Sequence, residues 1–351
     1  MLSLLKPGHA LSLFLLLLAA LAPLYVLGRF PTLEWAYVWA LLIGMIGINI
    51  LTGYCGQISL GNSAFMAVGG YATAILTYRA GWNYLLTIPV AGVLASVGGV
   101  LLGIPALKLR GIYLATATFA LAISAPSLIR HFDQLSGGSQ GISIPPAEDP
   151  FGLVRSQALT SEQWLYYTAL VMAVVLFLFS RALLRSHVGR AFRTIRESET
   201  AAVANGVSLT YYKTLAFAIS AFYAGVAGSL YTINTAYISP DSFDVRLSLA
   251  LVVGAVIGGL GTAIGPILGA VFTVWSPVYT QILFNAKPDI AFGVLLILVM
   301  YTMPSGIAGG VHRLWTWYQR QRAAGRPKSG EDGTMLVGKA ASPRGASGPG
   351  L

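Results

Sequence analysis

The chain has 351 residues, of which 56% are hydrophobic and only 10% are charged, and its formal net charge is +10. Soluble domains average roughly 25% charged residues, so this composition excludes a protein whose whole surface faces water and indicates a membrane-integral chain. The single cysteine, Cys55, excludes an intrachain disulfide and a cysteine-rich metal site.

Apolar runs recur along the chain at about the length of ~20 residues that a helix needs to cross the hydrocarbon core. They cover residues 10–28, 35–52, 58–78, 84–107, 112–129, 164–180, 215–234 and 290–309. A further stretch, 247–284, is too long for one crossing and is interrupted at 258–266 by glycine and proline, which weaken a helix. The pattern predicts an all-α polytopic membrane protein with some short or broken helices.

Charge placement predicts the number of crossings and their orientation. If the basic segment 181–213, which contains the loop 185–213, and the C-terminal tail both face the cytoplasm, the stretch 247–284 crosses twice, which gives about ten crossings and cytoplasmic termini. On that map 16 of the 22 lysine and arginine residues are cytoplasmic, as the positive-inside rule requires. The alternative is that residues 10–28 form a cleaved signal peptide, which would leave nine crossings.

We expect two regions: a transmembrane domain over residues 1–317, with a periplasmic loop at 131–163, and a basic, disordered tail. The tail, 318–351, is polar and rich in glycine, a composition that does not build a core. Its segment 333–340 fits part of a phosphate-binding loop, but Ala340 stands where that loop needs serine or threonine. Any ATP hydrolysis is therefore expected on another chain.

Between their ends the predicted crossings carry no Asp, Glu, Lys, Arg or His. Proton relays and intramembrane catalytic sites need such groups, so their absence argues against a proton-driven carrier and against a membrane enzyme. A sodium site built from backbone carbonyls would leave no such signature, so a sodium-coupled carrier stays open. Small polar side chains crowd one stretch, and because buried amides need partners or water we regard these as candidates for a lined path: Gln57, Ser59, Asn62 and Ser63.

The loop 187–213 has helix-forming residues over 189–205, followed by Gly206 as a C-cap. A mixed-charge helix of this kind is expected to have nothing apolar to bury in lipid. Two readings remain: a solvated connector between two crossings, or a helix that docks in a groove on a cytoplasmic partner.

Three segments carry a resemblance to a known family. ETAAVANG at 199–206 looks like the Glu-x-Ala-Ala…Gly loop by which ABC importer permeases couple to their ATPase. Together with its surroundings and with the segments 53–74 and 238–270, it closely resembles the M-type (LivM-like) permease subunit of the branched-chain amino acid ABC importer family. The resemblance covers most of 44–309.

The resemblance implies a non-catalytic, multi-pass permease subunit of the inner (plasma) membrane that needs no cofactor and binds no nucleic acid. The implied partners are a related H-type permease subunit, two cytoplasmic ABC ATPase subunits and a periplasmic protein that delivers leucine, isoleucine or valine. The alternative is the same machine with another cargo, such as urea, short amides or other amino acids. By analogy, six residues belong to the ATPase-coupling loop: Arg193, Arg196, Glu199, Ala201, Ala202 and Gly206.

Overall fold

The computed structural model describes residues 29–106, 109, 111–146, 159–284, 293–294, 297, 301 and 306–309, which are helical almost throughout. The helices over 29–284 are α1 (Arg29–Ile48), α2 (Asn62–Ala80), α3 (Tyr84–Ala106), α4 (Ile112–His131), α5 (Asp133–Ser136), α6 (Ser161–Arg185), α7 (His187–Glu197), α8 (Glu199–Ala204), α9 (Leu209–Thr235), α10 (Val245–Gly258) and α11 (Gly265–Phe284). Two short strands, β1 (Ile142–Ser143) and β2 (Tyr237–Ile238), pair antiparallel.

Five helical segments of the described chain are long and apolar enough to cross a membrane: Pro31–Tyr54, Tyr84–Pro105, Ile112–His131, Ser161–Arg185 and Leu209–Thr235. They confirm helices at the predicted crossings 35–52, 84–107, 112–129, 164–180 and 215–234. The predicted crossing 10–28, most of 290–309 and the tail 318–351 lie outside the described residues. The count of ten crossings therefore stays a prediction.

Helix α9 packs against α1, α2 and α3 at the centre of the bundle, and nine of its 27 residues are alanine, glycine or serine. Small residues on its neighbours let the backbones approach closely. A Cβ atom added at Gly99 of α3 would lie 2.5 Å from the Ala221 Cβ, and one added at Gly92 would lie 2.7 Å from the Phe222 ring. Such contacts hold helices together in lipid, where van der Waals packing replaces the hydrophobic effect.

Two interruptions break the helical pattern. The first follows α1, which passes into a π-helical turn at Asn49–Tyr54 and then into irregular backbone that lasts until α2 begins at Asn62. The second separates α10 from α11, so the predicted break at 258–266 is confirmed. Helix α10 has 14 residues. It is ~21 Å long, shorter than the ~30 Å hydrocarbon core, and cannot cross alone.

Helix α9 also defines the two ends of the bundle. Its 27 residues span ~40 Å, with α7 and α8 before its first turn and β2 after its last. The strand pair closes the opposite end, where β1 follows α4 and α5. The described parts of the loops 131–163 and 185–213 therefore lie at opposite ends of the bundle.

Candidate functional site

The loop before α9 contains two helices, not the single helix predicted over 189–205. Ser198 has extended backbone (φ −161°, ψ 117°) and separates α7 from α8. Its hydroxyl accepts a hydrogen bond from the Ala201 amide at 3.2 Å, so it caps α8. Serine favours a cap over a helix interior because its side chain competes for the backbone N–H groups, and this preference ends α7.

One face of α7 is apolar and is buried against the bundle, a protein contact that was not predicted from the sequence. Ala191, Phe192 and Ile195 are buried against the bundle, and the Phe192 ring meets Tyr212 of α9 edge-on with centroids 6.4 Å apart. Their spacing of one, three and four residues is that of an amphipathic helix. The helix is therefore seated on the bundle and is not a loose connector.

The arginines predicted for the coupling loop bond within this chain. The Arg193 guanidinium donates to the Leu184 carbonyl at 2.5 Å, at the end of α6. The Arg196 guanidinium donates to the Gly53 carbonyl in the π-helical turn. Both side chains thus hold α7 to neighbouring helices while the residues themselves remain exposed on the surface.

Glu199 also bonds within the chain. Its carboxylate accepts a hydrogen bond from the Lys213 ammonium at 2.6 Å, and the Lys213 side chain is only 8% exposed. This pair joins the first residue of α8 to the second turn of α9. Lys213 was not among the predicted site residues, although a lysine inside a span-forming helix signals that a partner carboxylate is needed.

The remaining coupling-loop residues divide between an inner and an outer face of α8. Ala202 is fully buried, whereas Ala201 and Gly206 are exposed beside Val203, which is 57% exposed. Gly206 has φ +78°, and its amide donates to the Val203 carbonyl at 2.9 Å. Its predicted place as the glycine after the helix is confirmed, since this left-handed conformation favours glycine. We call Ala201, Val203, Ala204 and Gly206 the outer face of α8.

The four predicted path residues lie together at the first interruption. Gln57, Ser59, Asn62 and Ser63 are all buried there. The Gln57 side-chain carbonyl oxygen and the Ser63 hydroxyl have no hydrogen-bond partner among the described residues. Buried polar atoms of this kind call for water or a passing polar ligand.

Helices α4 and α10 hold this interruption in place. The Leu60 amide donates to the Thr118 hydroxyl of α4 at 2.9 Å, and the Leu60 carbonyl accepts from the Ser248 hydroxyl of α10. Both backbone polar groups of Leu60 are therefore hydrogen-bonded inside the protein, as irregular backbone within a membrane requires.

Asn49 joins the two interruptions and was not predicted as a site residue. Its side-chain N–H donates to the Thr262 carbonyl at 2.8 Å, and its side-chain oxygen accepts from the Gly261 amide at 2.7 Å. An amide alone in the apolar run 35–52 was the available signal, because an amide in lipid needs partners. The sequence pattern does not identify those partners.

One family of known proteins matches most of the chain. The family described as the permease component of the branched-chain amino acid transport system matches residues 32–303. The chain is 33% identical over 281 residues to the high-affinity branched-chain amino acid transport system permease protein LivM of Salmonella typhimurium, covering 75% of this chain and 66% of that protein. It is 32% identical over 295 residues to LivM of Escherichia coli K12, covering 79% and 68%.

A second group of relatives carries the name LivH. The LivH permease protein of Escherichia coli K12 is 24% identical over 283 residues, covering 75% of this chain and 89% of that protein. The chain spans about two thirds of the length of the two LivM proteins, and no solved structure matches it. The family match and the apolar helices together show that this multi-pass membrane protein belongs to the family of branched-chain amino acid transport permease components.

Proposed function

We propose that the chain is the membrane-spanning permease subunit of an ABC importer for leucine, isoleucine and valine. It forms part of the translocation path and is driven by separate ATPase subunits. The names of its LivM and LivH relatives support the cargo, because both groups are permease proteins of branched-chain amino acid transport systems.

The observation that carries this proposal is the two-sided construction of α7 and α8. Their inner side is tied to the bundle by buried apolar residues, by Arg196 and by the Glu199–Lys213 pair. Their outer face is small and apolar, with Val203 57% exposed. A partner that binds this face can therefore move α9 and α1 when it changes conformation. We assign that role to the ATPase.

The orientation in this proposal puts α7 and α8 in the cytoplasm and the β1–β2 pair in the periplasm, with about ten crossings and both termini inside. Charge supports it. Five arginines lie in α7 or at the end of α6, namely Arg181, Arg185, Arg190, Arg193 and Arg196, whereas three lie at the opposite end of the described bundle, namely Arg79, Arg130 and Arg246.

The path in this proposal passes the first interruption. Gln57 and Ser63 present polar atoms without partners among the described residues, and they would replace part of the water that an amino acid loses on entry. A path of uncharged groups holds a zwitterion weakly, so cargo selection belongs mainly to the binding protein. This suits a conduit, since a tight internal site would slow release.

The proposed assembly contains this chain, a related H-type permease, two ABC ATPases and a periplasmic binding protein. The similarity of this chain to both LivM and LivH proteins supports a core of two related permeases. The site of ATP hydrolysis is assigned to the ATPase subunits, and no catalytic role is assigned to this chain.

The test is reconstitution of the full assembly in proteoliposomes, with uptake of labelled leucine measured in the presence of ATP and of a non-hydrolysable analogue. We expect uptake only with ATP and binding protein, and competition by isoleucine and valine but not by urea. Competition by urea or short amides alone would assign another cargo. Uptake driven by a sodium gradient without ATPase subunits would reject the proposal.

A further inference from the structure

Arg196 is the last basic residue of α7, and its side chain lies against the first interruption. Its guanidinium donates to the Gly53 carbonyl of the π-helical turn. A Cβ atom added at Gly56 would lie 3.1 Å from the Arg196 Cγ and 3.4 Å from its Cβ. The absence of a side chain at Gly56 therefore leaves the space that the arginine stem occupies.

The same guanidinium reaches the second interruption. A Cβ atom added at Gly261 would lie 2.8 Å from the Arg196 Nη1 and 3.2 Å from the Gly53 carbonyl oxygen. Since Asn49 bonds both the Gly261 amide and the Thr262 carbonyl, the two interruptions and the end of α7 meet at one point.

The chemistry of this junction suits arginine. The Gly53 carbonyl lies in the last turn before a break, where carbonyls lack helical partners and the helix dipole favours a cation. A guanidinium has five N–H donors in a rigid, permanently charged fork, so it can bond one carbonyl while packing against a second backbone segment.

We propose that Arg196 is a positioning residue that makes α7, α8 and the two interruptions move as one body, so that motion imposed on the outer face of α8 reaches the path residues. This role rests on the proposed function, because it presupposes an ATPase that acts on α8. The junction lies next to Gln57, which follows Gly56 directly in the chain. Displacement of α7 is thereby passed to the path without a charged group inside it.

The first test compares Arg196→Met, Arg196→Lys and the control Arg181→Met in the reconstituted assembly. Arg181 is exposed at the end of α6, so its replacement removes the same charge from the same end of the bundle. We expect Arg196→Met to import about tenfold less leucine per ATP hydrolysed, the factor for losing a hydrogen bond from a charged donor. Arg196→Lys, which keeps a charged donor but not the fork, should recover only part of the ratio, and Arg181→Met should retain all of it.

An unchanged ratio in Arg196→Met, with ATP-driven uptake intact in the unmodified protein, would overturn the role of Arg196 alone. Absence of ATP-driven leucine uptake in the unmodified assembly would reject the proposed function and this role with it. The two failures are thus distinguished by the unmodified control.

A second test keeps Arg196 in place. In Gly261→Ala the added Cβ would lie 2.8 Å from the Arg196 Nη1 and should displace the guanidinium from the junction. The control is Gly81→Ala, which also stands on left-handed backbone (φ +63° against +76°) but has no atom within 4 Å of an added Cβ. We expect Gly261→Ala to import several-fold less leucine per ATP hydrolysed than Gly81→Ala, and equal ratios in the two variants would overturn the inference.

Discussion

Glu199 belongs to the loop that the resemblance assigned to ATPase coupling, yet its carboxylate bonds to Lys213 of the same chain. The ion pair is largely enclosed, with the lysine side chain 8% and the glutamate side chain 33% exposed. An enclosed charge is costly without its partner, so this glutamate contributes first to fixing α8 on α9. Contact with a second protein falls instead to the residues on the outer face of α8.

Reversing the charge at this position tests the pair. We expect Glu199→Lys to lower the free energy of unfolding by about 3 kcal/mol, since it leaves two lysines facing each other in an enclosed site. It should also reduce leucine import per ATP while the chain still inserts. The double variant Glu199→Lys, Lys213→Glu should regain at least half of the loss. Thermal unfolding of the purified assembly measures the stability of the single and the double variant, and uptake in proteoliposomes measures leucine import per ATP.

The matched control at the residue scale is Glu197→Lys, an exposed position of α7 two residues away. Surface substitutions of this kind change stability by about 0.5 kcal/mol or less. If Glu199→Lys were as stable as Glu197→Lys, the ion pair would have no structural role.

At the scale of elements, substitutions of the glycine that follows α8 can separate backbone strain from loss of contact with a partner. Gly206 has φ +78° and no atom within 4 Å of an added Cβ, so a side chain there meets strain but no clash. We expect Gly206→Asn to keep its stability and Gly206→Ala to lose about 1 kcal/mol. Gly206→Trp should lose a similar amount and, in addition, fail to retain the ATPase subunits during purification. Normal retention with tryptophan would exclude this face as the docking surface.

The pairing of α10 with α11 depends on the absence of a side chain at Gly258. A Cβ atom there would overlap the Gly265 carbonyl, and backbone cannot move aside cheaply. We expect Gly258→Ala to cost about 1–3 kcal/mol in thermal unfolding, the range for overpacking. The control is Gly98→Ala in α3, where the added Cβ meets only the Phe65 ring at 3.8 Å. Equal stability of the two variants would contradict this close approach.

At the scale of the whole molecule, the ends of α9 predict which surfaces face which compartment. In a Cys55→Ala background, we expect a cysteine at Val203 to react with an impermeant maleimide only in inside-out vesicles. A cysteine at Ser139, exposed near the strand pair, should react in right-side-out spheroplasts. The reverse pattern would invert the orientation and place the outer face of α8 beyond the reach of a cytoplasmic ATPase.

Helix positions were predictable to within a few residues where local composition decides them. The run 84–107 corresponds to α3, Tyr84–Ala106, and 112–129 corresponds to α4, Ile112–His131. The single helix predicted over 189–205 was wrong because one serine caps a new helix at Ser198. Helix-forming composition continues across that point, so propensity alone does not reveal the break.

Membrane class, helical architecture, the break at 258–266 and the family were all predictable from the sequence, because each depends on the composition of neighbouring residues. The junction between α7 and the two interruptions was not predictable from the sequence. Arg196 and Gly53 are 143 residues apart, and Asn49 and Gly261 are 212 apart. Bonds at such separations arise only after helices have packed, and no local periodicity encodes which backbone group a buried asparagine or an arginine will meet.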